Sequence, residues 1–323
     1  MSPDTRDDHP LPLLPQRDSR GHKGDFGTVA IVGGRVHADI TMLGGPAFSA
    51  LAALRSGAGL VRLALPAPIL NAALTLAPSA TGVALPIDHE REVVPREAAV
   101  ILDGLLAEAS CLAIGPGLGL GAAPRALTLR AVMQEETPVV VDADALNNLA
   151  ETPELQRDFH AHAIITPHPG EYRRLARSLE IDEDPVSPDA RPAAAERLAQ
   201  FLGCIVVLKG AGTVVSDGHR TWVDDAHNAA LATAGTGDVL TGIIAALVAQ
   251  HHRDPLIAGE RSIPSERRGG LSLFDCARIA VRAHARAADA WTARTGASSG
   301  LLAMDLVDEL PGALQSLRTA DRG

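Results

Sequence analysis

The sequence predicts an α/β fold with a mostly parallel central sheet that is covered by helices on both sides. The first observation is a series of short, continuously apolar runs, as expected for strands buried on both faces. These runs are TVAIV at 28–32, LVRLA at 60–64, CLAI at 111–114, VVV at 139–141, AIIT at 163–166 and IVVL at 205–208. The second observation is that helical patterns separate the runs, which favours crossover connections between parallel strands.

The predicted helices alternate with these strands, and only helices are predicted in the last part of the chain. They lie near 45–56, 96–107, 122–134, 143–150, 170–179 and 191–202, followed by three longer ones near 238–250, 272–295 and 303–317. The segment TVVSDGHRTWV at 213–223 departs from the alternation, because Asp217-Gly218 marks the turn of a β-hairpin. The hairpin predicts an antiparallel edge on the sheet.

One domain is predicted to account for most of the chain. The 323 residues are 46% hydrophobic, so they can bury one large core. We predict a single domain over residues 21–318, a flexible lead-in at 1–20 and a tail at 319–323. The polar residues 251–270 are predicted to form a surface-loop insertion, and the Pro- and Asp-rich segment 182–192 an exposed connection.

Composition excludes several classes of protein. The formal net charge of -10 disfavours a nucleic-acid partner, because phosphate backbones are bound by basic surfaces. The three cysteines are far apart and form no CxxC pair, so neither disulfides nor a zinc site is indicated and a reducing cytoplasm fits. The acidic, proline-broken N-terminus is unlike a signal peptide, and four prolines in the uncharged run 63–87 exclude a membrane-spanning helix.

Lysine is unusually rare in this chain. Only two of the 29 basic residues are lysines, Lys23 and Lys209, and both lie in turns flanked by glycine. Lysine offers a compact ammonium that arginine cannot copy at a phosphate. Both lysines are therefore candidate phosphate ligands, with chance placement on the surface as the alternative.

Polar or glycine-rich turns follow five of the predicted strands. Ligands of open α/β sheets bind beyond the carboxyl ends of the strands, so these turns are expected to share one edge and to form one site. The turns are Gly33-Gly34, 115–119, 142–144, 167–171 and 209–213.

The strongest candidate site is the turn ATAGTGDVLTG at 232–242, which opens a predicted helix. Its glycines allow successive N–H groups to point at one anion, and the helix N-terminus adds a partial positive charge. Asp238 either caps this helix or acts as a general base, since neighbouring phosphate would raise its pKa. We favour the general base.

Other polar residues at this edge also have two interpretations. His168, between two prolines, is a ligand of the substrate or a turn histidine without a ligand. Glu171 belongs to the site or stabilises the N-terminus of the next helix. Asp142 and Asp144 hold Mg²⁺ through water or cap the helix at 143–150.

A competing hypothesis comes from the segment GLGLGA at 117–122. It matches the GxGxxA pattern after a strand, and Asp142 ends the next strand, which together indicate a Rossmann dinucleotide site. That fingerprint usually opens the first βαβ unit of its domain, however, whereas other strand-like runs come earlier here. It also leaves Lys209 and Asp238 unexplained.

Seven motifs occur in an order that resembles the ADP/ATP-dependent NAD(P)H-hydrate dehydratases, members of the ribokinase-like superfamily. They are HKGDFGTVAIVGG at 22–34, ALRSGAGLVRLA at 53–64, AIGPGLG at 113–119, VVDADALN at 140–147, TPHPGEYRRL at 166–175, LKGAGTVV at 208–215 and ATAGTGDVLTG at 232–242. The resemblance covers about residues 22–250 and, more weakly, 271–311. The GTGD motif alone would indicate only the superfamily.

The resemblance implies a ribokinase-like three-layer αβα sandwich and a nucleotide-driven repair reaction. In that reaction the S epimer of hydrated NADH or NADPH is dehydrated, and AMP or ADP is released with phosphate. Mg²⁺ is expected on the phosphates of the ADP or ATP co-substrate rather than in a protein cage. A vitamin-precursor kinase of the same superfamily and a nucleotide-binding sensor are the alternatives.

The resemblance also implies roles for individual residues. Asp238 would deprotonate the hydrate hydroxyl, and Gly235, Thr236 and Gly237 would form the anion hole. The nucleotide would be bound by Lys209, Gly210, Ala211, Gly212 and Thr213, together with Gly237. The hydrated dinucleotide would be contacted by Gly44, Gly45, Gly117 and His168, and further residues expected near the site are Lys23, Asp142, Glu171 and Asn228.

Two features depart from the family pattern. Ala229 and Leu231 stand where the family usually has Pro and Met, and residues 251–270 look inserted between two helices. The epimerase domain that some family members carry is not seen in this sequence, so the epimerase is expected to be a separate chain. A homo-oligomer is also expected from the resemblance.

Overall fold

The computed structural model describes residues 10–37, 40–252 and 270–319. Its strands are β1 (Thr28–Val32), β2 (Arg35–His37), β3 (Ile40–Met42), β4 (Leu60–Pro66), β5 (Thr81–Leu85), β6 (Cys111–Ile114), β7 (Val139–Val141), β8 (Ala163–Ile165), β9 (Ile205–Leu208), β10 (Val214–Ser216) and β11 (Thr221–Val223). Its helices are α1 (Gly44–Arg55), α2 (Ala67–Leu76), α3 (Pro95–Glu108), α4 (Ala122–Val132), α5 (Asp144–Ala150), α6 (Leu155–Asp158), α7 (Pro169–Ser178), α8 (Arg191–Leu202), α9 (Thr236–His251), α10 (Leu273–Thr295) and α11 (Ala303–Ser316).

The central sheet has the predicted mostly parallel arrangement. In the described residues it contains nine strands in the order β11-β10-β9-β8-β7-β6-β1-β4-β5. All pairs from β5 to β9 are parallel, whereas β10 pairs antiparallel with both β9 and β11. The hairpin predicted at 213–223 is therefore the antiparallel edge of the sheet.

Helices cover both faces of the sheet, and strand residues alternate between the two cores. Val29 and Ile31 of β1 face the core with α1, α2, α9, α10 and α11. Ala30 and Val32 face the core with α3, α4, α5, α7 and α8. Since both faces are covered, the buried residues of these strands are apolar, which explains the hydrophobic runs. The fold is the predicted three-layer αβα sandwich.

Besides the one-turn helix α6, two regions of secondary structure were not predicted. The proline-broken run 63–87 contains α2 and β5. Pro68 lies in the first turn of α2, where its missing N–H group would have no intrahelical acceptor, so it does not break the helix. The hairpin of β2 and β3 was missed because Ile40 and Met42 are exposed and give no apolar alternation toward a core.

The described part of the predicted lead-in is attached to the domain. Leu14 is 1% exposed, and its N–H donates to the Leu317 carbonyl at 2.8 Å. The Arg17 guanidinium stacks on the Phe26 ring and donates to the Gly57 carbonyl at 2.7 Å. Residues 10–20 thus differ from a flexible segment, since they pack on the domain.

Other predicted boundaries fall largely outside the described residues. The insertion expected at 251–270 is described only at His251, His252 and Gly270, and the tail only at Thr319. The three cysteines are buried and free. None of the described helices combines the length and apolarity needed to cross a membrane.

Candidate active site

The five turns that follow β1, β6, β7, β8 and β9 lie together at the carboxyl edge of the sheet. The Gly34 N–H donates to the Pro116 carbonyl at 3.0 Å, which joins the first two turns. The Gly119 N–H donates to Asp144 Oδ2 at 2.8 Å. The Lys209 N–H donates to the Pro167 carbonyl at 2.9 Å, which joins the last two. The sheet order therefore brings into one place segments that are far apart in sequence.

Asp142 is buried beneath this edge and accepts hydrogen bonds from three side chains. The donors are Lys209 Nζ at 2.7 Å, Thr166 Oγ1 at 2.6 Å and Thr241 Oγ1 at 2.7 Å. Burial alone would raise the pKa of Asp142, but the Lys209 charge and these hydrogen bonds hold it below its usual value. Asp142 is therefore ionised at neutral pH.

The arrangement around Asp142 corrects two sequence interpretations. Helix α5 has Ala143 at its N-cap with no side-chain cap, so Asp142 does not cap it. Asp142 is 1% exposed, and its oxygens accept from Lys209, Thr166 and Thr241, so this carboxylate is not available to the ribose of a Rossmann dinucleotide. Its role is to neutralise and orient Lys209.

Lys209 lies between this carboxylate and the N-terminus of α9. Burial would lower the pKa of Lys209, but Asp142 and Glu171 raise it above its usual value, so the ammonium stays charged. Its Nζ lies 3.8 Å from Glu171 Oε2 and would lie 3.5 Å from a Cβ at Gly237. The structure thus places a fixed positive charge next to the GTGD turn.

Asp238 lies in the first turn of α9 and has an available carboxylate. Among the described residues, no donor makes a hydrogen bond to this side chain, so it does not cap the helix. Burial, followed by the negative charge of Asp142, raises the pKa of Asp238 to about 7, although Lys209 opposes the shift. A carboxylate with this pKa can accept a proton near neutral pH.

The backbone around Asp238 provides donors for an anion. Gly235, the N-cap of α9, has a φ of 91°, a left-handed conformation that favours glycine. The first-turn N–H groups of Gly237 and Asp238 have no intrahelical acceptor. Thr236 Oγ1 instead turns back to the Leu231 and Thr233 carbonyls, at 2.9 Å each. Main-chain N–H groups, rather than the Thr236 hydroxyl, are therefore the donors available to an anion at this turn.

His284 supports the same turn and was not predicted from the sequence. Its Nε2 lies 2.8 Å from the Thr236 carbonyl, and because a carbonyl only accepts, this nitrogen carries the proton. Burial lowers the pKa of His284 to about 4, so the ring is neutral. A lone histidine within the long helix α10 provides no sequence signal for this contact.

Helix α1 contacts Asp238 at two points. Ser49 Oγ donates to the Asp238 carbonyl at 2.8 Å. A Cβ at Gly45 would lie 3.0 Å from Asp238 Oδ1, so the absence of a side chain there leaves space for the carboxylate. Gly44, by contrast, has only Phe48 nearby, and Gly117 lies against Met42 and Gly34.

His168 and Glu171 form a reciprocal cap at the N-terminus of α7. His168 Nδ1 accepts from the Gly170 N–H at 2.9 Å, and Glu171 Oε2 accepts from the His168 N–H at 2.8 Å. This supports the helix-stabilising interpretation of Glu171. Burial raises the pKa of Glu171 to about 7, while burial and Lys209 lower that of His168. The neutral His168 ring therefore carries its proton on Nε2, which lies 3.3 Å from Glu171 Oε1.

A cavity of about 550 Å³ opens beside these groups. The Lys209–Thr213 turn forms one wall, and Leu240 and Val281 provide an apolar surface. Ala229 and Leu231 also line this cavity. Asn228 stabilises this loop, because its Oδ1 accepts from the Ala230 N–H at 3.0 Å and its Nδ2 donates to Asp289 at 2.9 Å.

Lys23 lies at the opposite edge of the sheet, which corrects the expectation that it belongs to the site. It precedes β1, and nearby Gly27 packs against the Ala249 carbonyl near the C-terminus of α9. Asp238 and Ala249 are separated by about 16 Å along the helix axis, from the α-helical rise per residue. The structure therefore separates Lys23 from the other candidate residues.

Comparison with known proteins identifies the family of this chain. The family model described as NAD(P)H-hydrate dehydratase matches residues 29–312. A Moorella thermoacetica protein named bifunctional NAD(P)H-hydrate repair enzyme Nnr is 35% identical over 308 residues, which cover 94% of this chain and 52% of that protein. The chain thus spans about half the length of this curated relative.

Solved structures agree with this match. The Bacillus subtilis ADP/ATP-dependent NAD(P)H-hydrate dehydratase, co-crystallised with ATP and Mg²⁺, has a TM-score of 0.71 and 27% identity, covering 94% of this chain and 95% of that one. A ribokinase-like superfamily protein from Enterococcus faecalis, with a TM-score of 0.70, 24% identity and coverage of 94% and 92%, shares the fold. The chain therefore belongs to the NAD(P)H-hydrate dehydratase family, within the ribokinase-like fold.

Proposed function

We propose that this protein catalyses the nucleotide-dependent dehydration of the S epimer of hydrated NADH or NADPH. The observation that carries the proposal is the arrangement of Asp238, whose pKa is about 7, beside the free N–H groups of the α9 N-terminus and the Lys209 ammonium. This combination suits the transfer of a phosphoryl group to a hydroxyl. The family match and the name of the Bacillus protein support the choice of substrate.

In this proposal the chain's residues act on both ends of the phosphoryl transfer. Asp238 accepts the proton of the hydrate hydroxyl, whose oxygen attacks the terminal phosphorus of ADP or ATP as the bond to the leaving AMP or ADP breaks. Gly237, the Asp238 N–H group and Lys209 stabilise the charge that develops on the phosphoryl oxygens. The turn Lys209–Thr213 and the cavity beside it hold the nucleotide.

The phosphorylated hydrate then completes the dehydration. Its ring nitrogen supplies the electrons that expel orthophosphate, and loss of a proton from the adjacent carbon restores the dihydropyridine. His168, Gly45 and Gly117 border the space in which the hydrated ring would bind. His168 contacts the substrate with its half-exposed ring, which the cap with Glu171 and Gly170 holds in place.

In this proposal Mg²⁺ enters the site on the phosphates of the nucleotide. No group of three or more His, Cys, Asp or Glu side chains in the described part of the chain is arranged to hold a metal. Mg²⁺ commonly binds phosphate oxygens and retains several waters, so it would neutralise phosphate charge in this site. The protein then needs to contribute at most one or two carboxylates.

The decisive experiment incubates the protein with the S epimer of hydrated NADH or NADPH, Mg²⁺ and either ADP or ATP. We expect dihydronicotinamide absorbance to return and orthophosphate to be released. A kinase would instead accumulate a phosphorylated product, and a sensor would bind nucleotide without turnover. Failure to recover absorbance with either nucleotide would overturn the proposal.

An epimerase is the expected functional partner. The curated relative from Moorella carries the name of a bifunctional repair enzyme, which supports a link between the dehydratase and a second repair activity. With a mixture of R and S hydrates, we expect this protein alone to restore only the S fraction. Addition of an NAD(P)H-hydrate epimerase should allow the remaining hydrate to be consumed.

A further inference from the structure

Arg191, at the start of α8, is a buried cation that is not part of the proposed catalytic or binding residues. It is 4% exposed, although arginine is rarely buried without a partner. Its hydrogen bonds go to main-chain carbonyls: Nη1 donates to Pro185 at 2.8 Å, and Nη2 donates to Leu208 at 2.8 Å and Gly212 at 3.3 Å. Nothing in the proposed reaction yet uses this side chain.

The carbonyls that Arg191 binds lie at the two ends of the Lys209–Thr213 turn. Leu208 is the last residue of β9, and Gly212 precedes Thr213, so one planar guanidinium bridges the start and the end of the turn. A bridge of this kind sets the distance between the ends and the direction of the peptide groups between them. Lysine has a single ammonium and cannot reproduce this forked arrangement of two N–H donors on one rigid plane.

The guanidinium also lies directly below Gly210. A Cβ at Gly210 would be 3.1 Å from both Nη1 and Nη2, and the residue has a φ of 143°, which L side chains rarely adopt. Within the described residues, the N–H groups of Gly210, Ala211 and Gly212 donate to no protein acceptor. Arg191 thus holds the carbonyls on one side of the turn, and these N–H groups remain available to an anion.

We propose that Arg191 is a positioning residue that shapes the Lys209–Thr213 turn for the phosphates of the nucleotide. The inference rests on the proposed function, because it assumes that this turn binds ADP or ATP. Arg191 acts through the backbone and does not touch the nucleotide. The Pro185 carbonyl, which belongs to a buried residue in the connection before α8, completes the hydrogen bonds of Arg191 and gives this connection a structural role.

The test uses Arg191→Lys, which keeps the positive charge and removes the fork. We expect the Kd for ADP or ATP, measured by calorimetry with Mg²⁺, to rise about 10-fold, roughly the value of one hydrogen bond between a misplaced N–H group of the turn and a phosphate oxygen. In turnover assays the KM for the nucleotide should rise similarly, while kcat and the KM for the hydrate stay within about 2-fold. Arg191→Met should weaken nucleotide binding further.

A matched control separates positioning from general loosening of α8. Tyr172 donates from its hydroxyl to the Ala194 carbonyl of α8 at 3.1 Å, so Tyr172→Phe removes a buried contact to the same helix without touching the turn. We expect a lower Tm but an unchanged nucleotide Kd. Equal effects of Tyr172→Phe and Arg191→Lys on the Kd, or an unchanged Kd in folded Arg191→Lys, would overturn the inference. A wild-type protein that binds no nucleotide would instead overturn the proposed function.

Discussion

The Lys209 ammonium lies 2.7 Å from Oδ1 of Asp142, and the two side chains are only 18% and 2% exposed. Because the ion pair is shielded from water, each charge depends on the other for its stability. The same ammonium reaches toward Glu171 and the α9 N-terminus. One buried pair therefore links the stability of the sheet edge to the electrostatics of the candidate active site.

Removal of either charge alone should lower the free energy of unfolding more than removal of both charges together. We expect Lys209→Met to lower the free energy of unfolding by about 3–5 kcal/mol, because it leaves a buried carboxylate without its cation. The double variant Lys209→Met/Asp142→Asn should recover most of this loss in urea denaturation, but not nucleotide binding. A single variant as stable as the wild type would contradict the buried-pair interpretation.

Asp238→Asn should abolish turnover and leave nucleotide binding nearly intact. The amide cannot accept the hydroxyl proton, so we expect kcat to fall by about 10²–10⁴-fold, the usual contribution of a general base. Asp275 occupies the equivalent position in the first turn of α10, and Asp275→Asn is therefore a matched control for helix stability. If Asp238→Asn retains activity, Asp238 is not the base.

Activity should decline as the pH falls below about 7. The pKa of Asp238 is raised to about 7, and only the ionised form accepts a proton. Because the charge of Glu171 contributes to this raised pKa, Glu171→Gln should move the acidic limb of the kcat/KM profile to lower pH. Glutamine can keep the cap with the His168 N–H, so the fold is preserved. A profile unchanged by the substitution would argue against this coupling.

The two glycines that open α1 should differ in their tolerance of alanine. At Gly45 a methyl group would lie 3.0 Å from Asp238 Oδ1, so Gly45→Ala should displace the carboxylate and reduce kcat at least about 10-fold, as small misplacements of reacting groups do. At Gly44 the nearest atom is Phe48 Cε2 at 3.5 Å, an ordinary contact. We expect Gly44→Ala to have the smaller effect on kcat. The reverse order in steady-state assays would refute this geometry.

His284 should make the fold sensitive to acid. Its pKa falls from 6.5 to about 4 on folding, so its stabilising contribution is present above pH 6.5 and is lost as the pH falls through 4. This difference corresponds to about 3 kcal/mol. In chemical denaturation, His284→Gln, which can still donate to Thr236, should lose less stability over this pH range than the wild type. If both proteins lose the same stability over this pH range, the His284 ring is not held neutral in the folded state.

Local patterns in the sequence were sufficient for most of the architecture. The runs at 28–32, 111–114 and 205–208 coincide with strands because apolar, β-branched segments form strands wherever both faces are covered. The turn at Asp217-Gly218 was likewise predictable from two neighbouring residues. In contrast, α2 and the hairpin of β2 and β3 were missed, because an N-terminal proline and exposed apolar residues obscure the periodicity on which such predictions depend.

The sequence by itself determined the sandwich, the family and the motifs that gather at the carboxyl edge, because hydrophobic periodicity and glycine-rich turns are encoded by neighbouring residues. Only the tertiary structure decided what these motifs touch. Asp142 meets Lys209 and Thr241 across 67 and 99 positions of sequence, and its charge contributes to the raised pKa of Asp238. Burial and long-range charge depend on the packed arrangement of the sheet edge. For the same reason Lys23, which looked equivalent to Lys209 in sequence, lies at the far end of α9.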